Sequence, residues 1–213
     1  MLSIIQAAGW PIWPLIACSI LALALIVERF ISLKASKIAP ENLLQEAISV
    51  SRQGVPSEQV IAQLAQNSAL GEVLASGLKA IGQSSQSSQS SQQEYLQAQM
   101  ETAGRAAAHK LERYLGALAT IASAAPLLGL LGTVIGMIEI FGSQVGGGAV
   151  GSGNPAQLAH GISIALYNPA FGLSVAIPAL IFWRYFRARV DGYLLQLELA
   201  SEQFLHHLLQ LRR

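Results

Sequence analysis

Charge is scarce in this chain of 213 residues, of which only 12% are Asp, Glu, Lys or Arg. Soluble proteins average about 25% charged residues, so an ordinary soluble domain is not expected. The formal net charge of +1 lacks the basic surplus that phosphate contacts require, which argues against a nucleic-acid-binding protein. A single cysteine excludes a disulfide framework within the chain. The positions of the few charged residues along the sequence then indicate which class of protein this is.

Enzyme signatures are also missing. The sequence contains no HExxH, no CxxC and no P-loop pattern. Its four histidines are scattered at spacings that suit no intramembrane metal site. Two of them, His206 and His207, lie near the C-terminus and are expected on a solvated surface. We therefore predict no catalytic residue, no metal site and no cofactor.

Three stretches without charge are long enough to cross a membrane. Residues 1–27, 114–138 and 140–183 contain no Asp, Glu, Lys or Arg. A helix needs about 20 mainly apolar residues to cross the hydrocarbon of a bilayer. The third stretch begins with a polar, Gly-rich segment, so it holds one span and not two. The sequence predicts an all-α membrane protein with three transmembrane helices.

The basic residues indicate the orientation of these helices. All 13 Lys and Arg residues lie between 28 and 113 or between 184 and 213. Because basic segments stay in the cytoplasm, we expect the N-terminus outside, with Arg29, Lys34 and Lys37 at the inner end of the first span. The predicted segments are an N-terminal tail with the first transmembrane helix (1–33), a cytoplasmic helical region (34–113), a second transmembrane helix (114–141), a Gly-rich periplasmic loop (142–160), a third transmembrane helix (161–186) and a cytoplasmic helical tail (187–213).

The cytoplasmic segments carry apolar residues at helical spacing. Residues 94–115 show a single apolar face and are predicted to run as one long helix into the second span. The tail continues the third span and shows a heptad of apolar residues with one polar break at Ser201. This face must pack either on the helix at 94–115 or on a neighbouring subunit. The run QSSQSSQSSQQ, residues 83–93, predicts a flexible loop.

Small residues dominate the centre of the second span. Gly132 and Gly136 form a GxxxG pair, and Gly129 extends the pattern by one turn. Small residues allow helix backbones to approach closely in lipid, so a tight helix–helix contact is expected here. Thr133 lies inside this cluster. It could bond only to a carbonyl of its own helix, or it could line a proton pathway.

The third span contains one amide, Asn168, followed by Pro169. A buried amide needs a polar partner in hydrocarbon, and proline interrupts the hydrogen bonds of a helix. The alternatives are a kinked packing helix and a functional polar site. Counted from the outer ends of their spans, Thr133 and Asn168 lie at a similar depth of about 9–10 Å. No strongly ionisable group lies in mid-span, so a proton path would need an acid from another chain.

Three stretches resemble the MotA/TolQ/ExbB proton-channel family, and most closely its ExbB/TolQ branch. They are GWPIWPLIACSILALALIVERF (9–30), PLLGLLGTVIGMIEIF (126–141) and HGISIALYNPAFGLSVAIPALIFWRYF (160–186), and their order and spacing agree along nearly the whole chain. The resemblance implies a subunit of an inner-membrane motor driven by the proton motive force. It implies a homo-oligomer, a pentamer, around a single-span partner of the ExbD/TolR type that brings an intramembrane Asp.

The resemblance also implies roles for residues and a task for the complex. Thr133 matches the family's second-span Thr, which faces the partner's Asp. The third-span Thr of the family falls at Pro169, where Asn168 could supply the polar group instead. Some relatives carry a Glu at the position of Ile164. With an ExbD-like partner and a TonB-like protein, the complex would serve outer-membrane transport.

Two other functions remain open at this stage. One is a TolQ-like role in envelope constriction, acting through TolA. The other is a membrane scaffold that does not conduct protons, which the absence of the third-span Thr and Glu favours slightly. A membrane enzyme is a remote third, since no nucleophile–base or metal constellation is present.

Overall fold

A computed structural model of the chain describes residues 10–52, 54, 56–83, 89–145, 159, 161–163 and 165–210. The described residues fold into helices and turns without a strand. The helices are α1 (Ile12–Ser32), α2 (Ala35–Ile38), α3 (Leu43–Ser51), α4 (Glu58–Asn67), α5 (Ala69–Gln83), α6 (Gln89–Glu112), α7 (Leu115–Val145) and α8 (Tyr167–Gln210).

The three predicted membrane spans are confirmed. Helix α1, the region of α7 and the region of α8 are long and apolar enough to cross a membrane, with mean hydropathies of 2.1, 2.0 and 1.7 over their most apolar windows. Helix α8 has 44 residues, more than twice the ~20 that a span requires. It therefore continues well beyond the third span, as the heptad in the tail predicted. The outward orientation of the N-terminus stays a prediction.

The chain divides into two compact units. The first unit comprises residues 1–28 and 114–185, and the second comprises residues 29–113 and 186–213. Helices α1 and α8 contribute residues to both units, whereas α7 belongs to the first.

The first unit brings together the three spans. Leu15 of α1, Ala125 of α7 and Ala176 of α8 are buried against one another, and Leu128 and Val175 pack on them. Two small residues in this centre allow the three helices to approach closely. Apolar side chains cover the outside of the unit, as expected for helices that face lipid.

The second unit is a bundle in which the C-terminal part of α8 packs against helices of the same chain. A side chain at Gly77 of α5 would meet Met100 of α6 at 2.9 Å and Leu208 of α8 at 3.4 Å. The apolar face of the tail is buried at Val190, Leu197, Phe204 and Leu208. Leu208 of the tail thus lies close to α5, and Arg187 pairs with Glu112 of α6 at 3.0 Å.

The predicted continuous helix from 94 into the second span is wrong. Helix α6 ends at Glu112 and α7 begins at Leu115. Tyr114 between them has φ of +66°, the left-handed region that side chains with a Cβ rarely adopt. One residue in this conformation ends a helix, and neither Gly104 nor Gly116 marks the position in the sequence.

Helices extend into two segments that the sequence predicts as loops. Helix α5 runs through Gln83 and α6 begins at Gln89, so the prediction of a loop over 83–93 is wrong at both ends, and residues 84–88 lie outside the described residues. Gln and Ser lower helix propensity only modestly, so the repeat is compatible with a helix. Helix α7 likewise continues to Val145, while most of the Gly-rich loop at 142–160 lies outside the described residues.

The sequence predicts a solvated His207, and the structure shows its side chain only partly exposed. This side chain is half-buried, and its Nε2 lies 3.1 Å from Oγ of Ser51. The Ser51 hydroxyl donates its one proton to the carbonyl of Ile48 at 2.9 Å, so the ring nitrogen is the donor to Ser51. His206 remains exposed, as expected.

Candidate intramembrane site

Helices α7 and α8 touch at their backbones. A Cβ atom placed on Gly129 would lie 2.7 Å from the carbonyl oxygen of Asn168 and 2.9 Å from Cα of Pro169. A Cβ on Gly132 would lie 2.7 Å from both Cγ and Nδ2 of Asn168. Real Cβ atoms do not approach other heavy atoms so closely, so a larger residue would displace the α8 backbone at Gly129 and the Asn168 side chain at Gly132. The predicted small-residue cluster is therefore where the two spans meet.

The contact continues on both sides of this point. Towards one end, a Cβ on Gly136 would meet Cβ of Ala165 at an ordinary 3.4 Å. Towards the other, a Cβ on Gly172 of α8 would lie 2.6 Å from the carbonyl oxygen of Ala125. Small residues thus face one another from both helices, which is the arrangement that favours close packing in lipid.

Asn168 lies in the middle of this contact. Its side chain is 2% exposed and packs against Gly132. An amide removed from water inside a membrane span is uncommon, because each unsatisfied polar group costs several kcal/mol there. The structure thus assigns Asn168 to the interface between α7 and α8.

Pro169 takes part in the first turn of α8. The helix begins at Tyr167, so Pro169 is its third residue and its missing N–H is one that the helix would not use. A proline ring clashes with the carbonyl four residues earlier, which explains the turn at Leu166 that separates α8 from the helical residues 161–163. Pro178 lies inside α8.

Thr133 has a different environment from Asn168. Its Oγ1 donates to the carbonyl of Leu130 at 2.6 Å, within its own helix. The side chain is half-exposed and lines an open groove whose other walls are apolar. The lining residues are Thr133, Val134, Met137, Ile138 and Phe141.

Thr133 and Asn168 lie at one level but on different faces of α7. Gly132 touches the Asn168 side chain, and the next residue of a helix points about 100° away. Neither Asn168 nor Pro169 lines the groove at Thr133. The three polar-site candidates thus divide into a buried pair and one half-exposed hydroxyl. Ile164, the position of a Glu in some relatives, lies outside the described residues.

The groove brings no titratable side chain to Thr133. Its lining is one hydroxyl and four apolar side chains. Across the described part of the chain, no three or more His, Cys, Asp or Glu residues are grouped in a way that could hold a metal ion. Proton transfer along this groove would therefore need an ionisable group other than its five lining residues.

Sequence reasoning missed the environment of Arg29. It assigned this residue to the lipid interface, yet the side chain is 3% exposed. Its Nη1 donates to the carbonyl of Leu111 at 3.0 Å, a bond between positions 82 residues apart. The position of Arg29 immediately after an apolar run predicts an interfacial anchor, and no local signal distinguishes a buried arginine from an exposed one.

Comparison with known proteins identifies the family. The MotA/TolQ/ExbB proton channel family matches residues 65–199, which include both α7 and most of α8. The chain belongs to this family. It is 32% identical, over 93% of its length and 89% of the relative's, to the putative biopolymer transport protein ExbB-like 3 of Synechocystis. It is 31% identical, over 82% of its length and 74% of the relative's, to the biopolymer transport protein exbB1 of Vibrio cholerae.

Membership of the MotA/TolQ/ExbB family and the three spans make the chain a multi-pass protein of the inner membrane. The family is one of transport and proton channels. The ExbB-named relatives agree with the ExbB-like branch that the sequence resembles.

Proposed function

We propose that this chain is the ExbB-like subunit of an inner-membrane, proton-driven complex. Five copies surround an ExbD-like single-span protein that carries an intramembrane Asp, and the complex couples the proton motive force to TonB-dependent transport across the outer membrane. The chain itself catalyses no covalent reaction. Its segments at 34–113 and 187–213 lie in the cytoplasm, and its N-terminus lies outside.

The environment of Thr133 is the observation that carries this proposal. A half-exposed hydroxyl in an otherwise apolar groove can accept a hydrogen bond while it donates to Leu130. Such a hydroxyl offers a hydrogen-bond acceptor to a polar partner on this face. The neighbouring Gly132 packs α7 against α8, and in the proposed complex the Thr133 face meets the partner.

The side chains that line the groove determine which chemical group the partner must supply. Because the groove contains no acid, the proton carrier comes from the partner's Asp. A protonated carboxyl can leave a hydroxyl-lined surface for an apolar one more easily than a carboxylate can, because desolvation penalises the charged form. Each proton that crosses 100 mV releases about 2.3 kcal/mol, which is available to move the partner relative to the ring.

Asn168 and Pro169 have an indirect role in this mechanism. Asn168 is buried between α7 and α8. In the proposed mechanism it holds the two spans in register, so that Thr133 faces the partner. Pro169 fixes the beginning of α8 beside it. We therefore assign proton contact to Thr133 and alignment of the pathway to the pair at 168–169.

Substitutions at Thr133 test the proposal. Thr133→Val removes the hydroxyl with little change in shape, and we expect partner-dependent proton uptake by vesicles to fall by at least about tenfold, the range seen when a positioned polar group is lost. Thr133→Ser retains the hydroxyl and should keep most of the flux. Thr120→Val is the matched control, because Thr120 is another exposed hydroxyl of α7 that bonds its own helix, at the carbonyl of Gly116.

Two results would contradict the proposal. One is equal flux in the wild type, Thr133→Val and Thr120→Val when all three assemble equally well with the partner. The other is a homo-oligomer that native mass spectrometry finds without any single-span partner, since the only proton carrier would then be absent. That second result would favour the scaffold, for which the burial of Asn168 away from the groove is already consistent.

A further inference from the structure

The polypeptide passes between its two compact units at three points. These points are Glu28–Arg29, Arg113–Tyr114 and Tyr185–Phe186, and each lies within one of the three regions that are long and apolar enough to contain a membrane span. Within the second unit, the three chain segments that begin at these points contact one another in pairs. We call this set the collar, and its residues are Arg29, Phe30, Leu111, Glu112, Phe186 and Arg187.

The first contact of the collar joins α1 to α6. The buried guanidinium of Arg29 donates from Nη1 to the carbonyl of Leu111 at 3.0 Å. The last four carbonyls of a helix have no partner within it, and α6 ends at Glu112, so Leu111 presents one of these open acceptors. A cation is also favoured at this end by the helix dipole. Arg29 thus caps α6 from another helix.

The second and third contacts join α8 to both other segments. The rings of Phe30 and Phe186 meet edge to face, with centroids 5.0 Å apart and an interplanar angle of 78°. Arg187 donates from Nη1 to Oε1 of Glu112 at 3.0 Å. Each of the three segments therefore contacts the other two.

Arg29 differs from the other members of the collar. The ion pair of Arg187 with Glu112 is 47% and 40% exposed, and such a pair contributes little in water. The contact between Phe30 and Phe186 buries apolar surface, but it is not directional and does not fix the position of one helix along the other. The Arg29 bond is buried, charged and directional, so it is the contact that holds the last turn of α6 in place.

The residues that follow α6 connect it to the helix of the second span. Tyr114, in the left-handed conformation, comes two residues after α6 ends, and α7 begins at Leu115. Fixing the end of α6 therefore restrains the two-residue turn at 113–114 through which the chain leaves this unit.

We propose that the collar locks the three chain segments together where they leave the membrane, and that Arg29 is its positioning residue. The effect on transport rests on the function proposed above. The local effect on the joint between α6 and α7 does not, and it can be measured separately.

Amide hydrogen exchange in the full chain, reconstituted with its partner in lipid nanodiscs, measures the local effect. Arg29→Gln should raise exchange by about tenfold or more in peptides covering 112–118, because a charge-assisted bond is lost at that joint. Arg29→Lys keeps the charge but not the planar fork, and should give an intermediate increase. Peptides covering 69–83 should be unchanged.

Arg105→Gln is the matched control for the exchange experiment. Arg105 also belongs to the second unit, but it is exposed and pairs with Glu101 one turn away on α6. It should leave exchange at 112–118 unchanged. The collar is refuted if Arg29→Gln behaves like Arg105→Gln, or if it raises exchange equally throughout the second unit, since Arg29 would then stabilise the whole bundle and not the joint.

Partner-dependent proton uptake measures the functional effect. We expect Arg29→Gln to assemble with the partner and to lose flux, whereas Arg105→Gln keeps both. Arg29→Gln complexes that conduct like the wild type would overturn the positioning role. Wild-type complexes without flux would instead refute the proposed function, and the exchange result would still decide whether the collar exists.

Discussion

Gly129 provides a sharp test of the contact between α7 and α8. The two atoms that an added methyl would meet first are the carbonyl oxygen of Asn168 at 2.7 Å and Cα of Pro169 at 2.9 Å. Both are backbone atoms, so no side-chain rotation relieves the overlap. Gly129→Ala must push the two helices apart, and this also loosens the contact at Gly132.

The expected magnitude combines two opposing effects. Overpacking costs about 1–3 kcal/mol, and backbone obstacles argue for the upper end. Alanine is favoured over glycine in a helix by about 1 kcal/mol. The net destabilisation is then about 2 kcal/mol, a shift of about 30-fold in the unfolding equilibrium.

Gly116→Ala in the same helix is the control, because a Cβ there meets nothing within 4 Å. It should leave the stability unchanged or raise it by up to about 1 kcal/mol. The assay is reversible unfolding of the purified chain in mixed micelles by SDS, followed by circular dichroism at fixed protein concentration. If Gly129→Ala and Gly116→Ala are equally stable, the helices are not packed through Gly129 and the reasoning fails.

Two further predictions concern the second unit and its junction. Burial, and then the charge of Arg52, lower the pKa of His207 below its usual 6.5, against an opposing effect of the Ile48 backbone. Neutral His207 should therefore stabilise the fold above pH 6.5, and this contribution should be lost as pH falls through the lowered pKa, because a charged ring is then partly buried beside Arg52. The expected sign is faster amide exchange in α3 at low pH, which His207→Gln should make independent of pH. At Tyr114, replacement by Gly or Asn should give a protein more stable than replacement by Ala, by about 1 kcal/mol, because only the first two tolerate positive φ; equal thermal stability of the three would contradict this.

The predictable part of this protein rests on local sequence patterns. Uninterrupted apolar runs must become helices in lipid, because no other open structure satisfies its backbone hydrogen bonds there, and this gave the three spans. Glycines at spacing four, such as Gly132 and Gly136, mark the face where helices approach. The heptad in the tail predicted a helix that continues beyond the third span.

The separation of Thr133 from Asn168 could not be read in the same way. The number of residues from the end of a span gives the depth of a residue along the helix, and Thr133 and Asn168 do lie at a similar depth. Which face meets which neighbour depends on the rotation of α7 against α8, and that rotation follows from the close fit of Gly129 and Gly132 to the backbone at 168–169. A functional role for the two residues therefore has to be tested separately at each position.

The sequence by itself determined the class, the number of spans and the family, because composition and periodicity act within one helix at a time. Only the tertiary structure decided the burial of Arg29, the break at Tyr114 and the contact of His207 with Ser51. Each of these depends on an element distant in the chain or on a conformation that local propensity disfavours. The sequence around an arginine at the end of a span does not show whether its guanidinium reaches water or the open carbonyl of another helix. Only the packing of the helices determines which of the two it contacts.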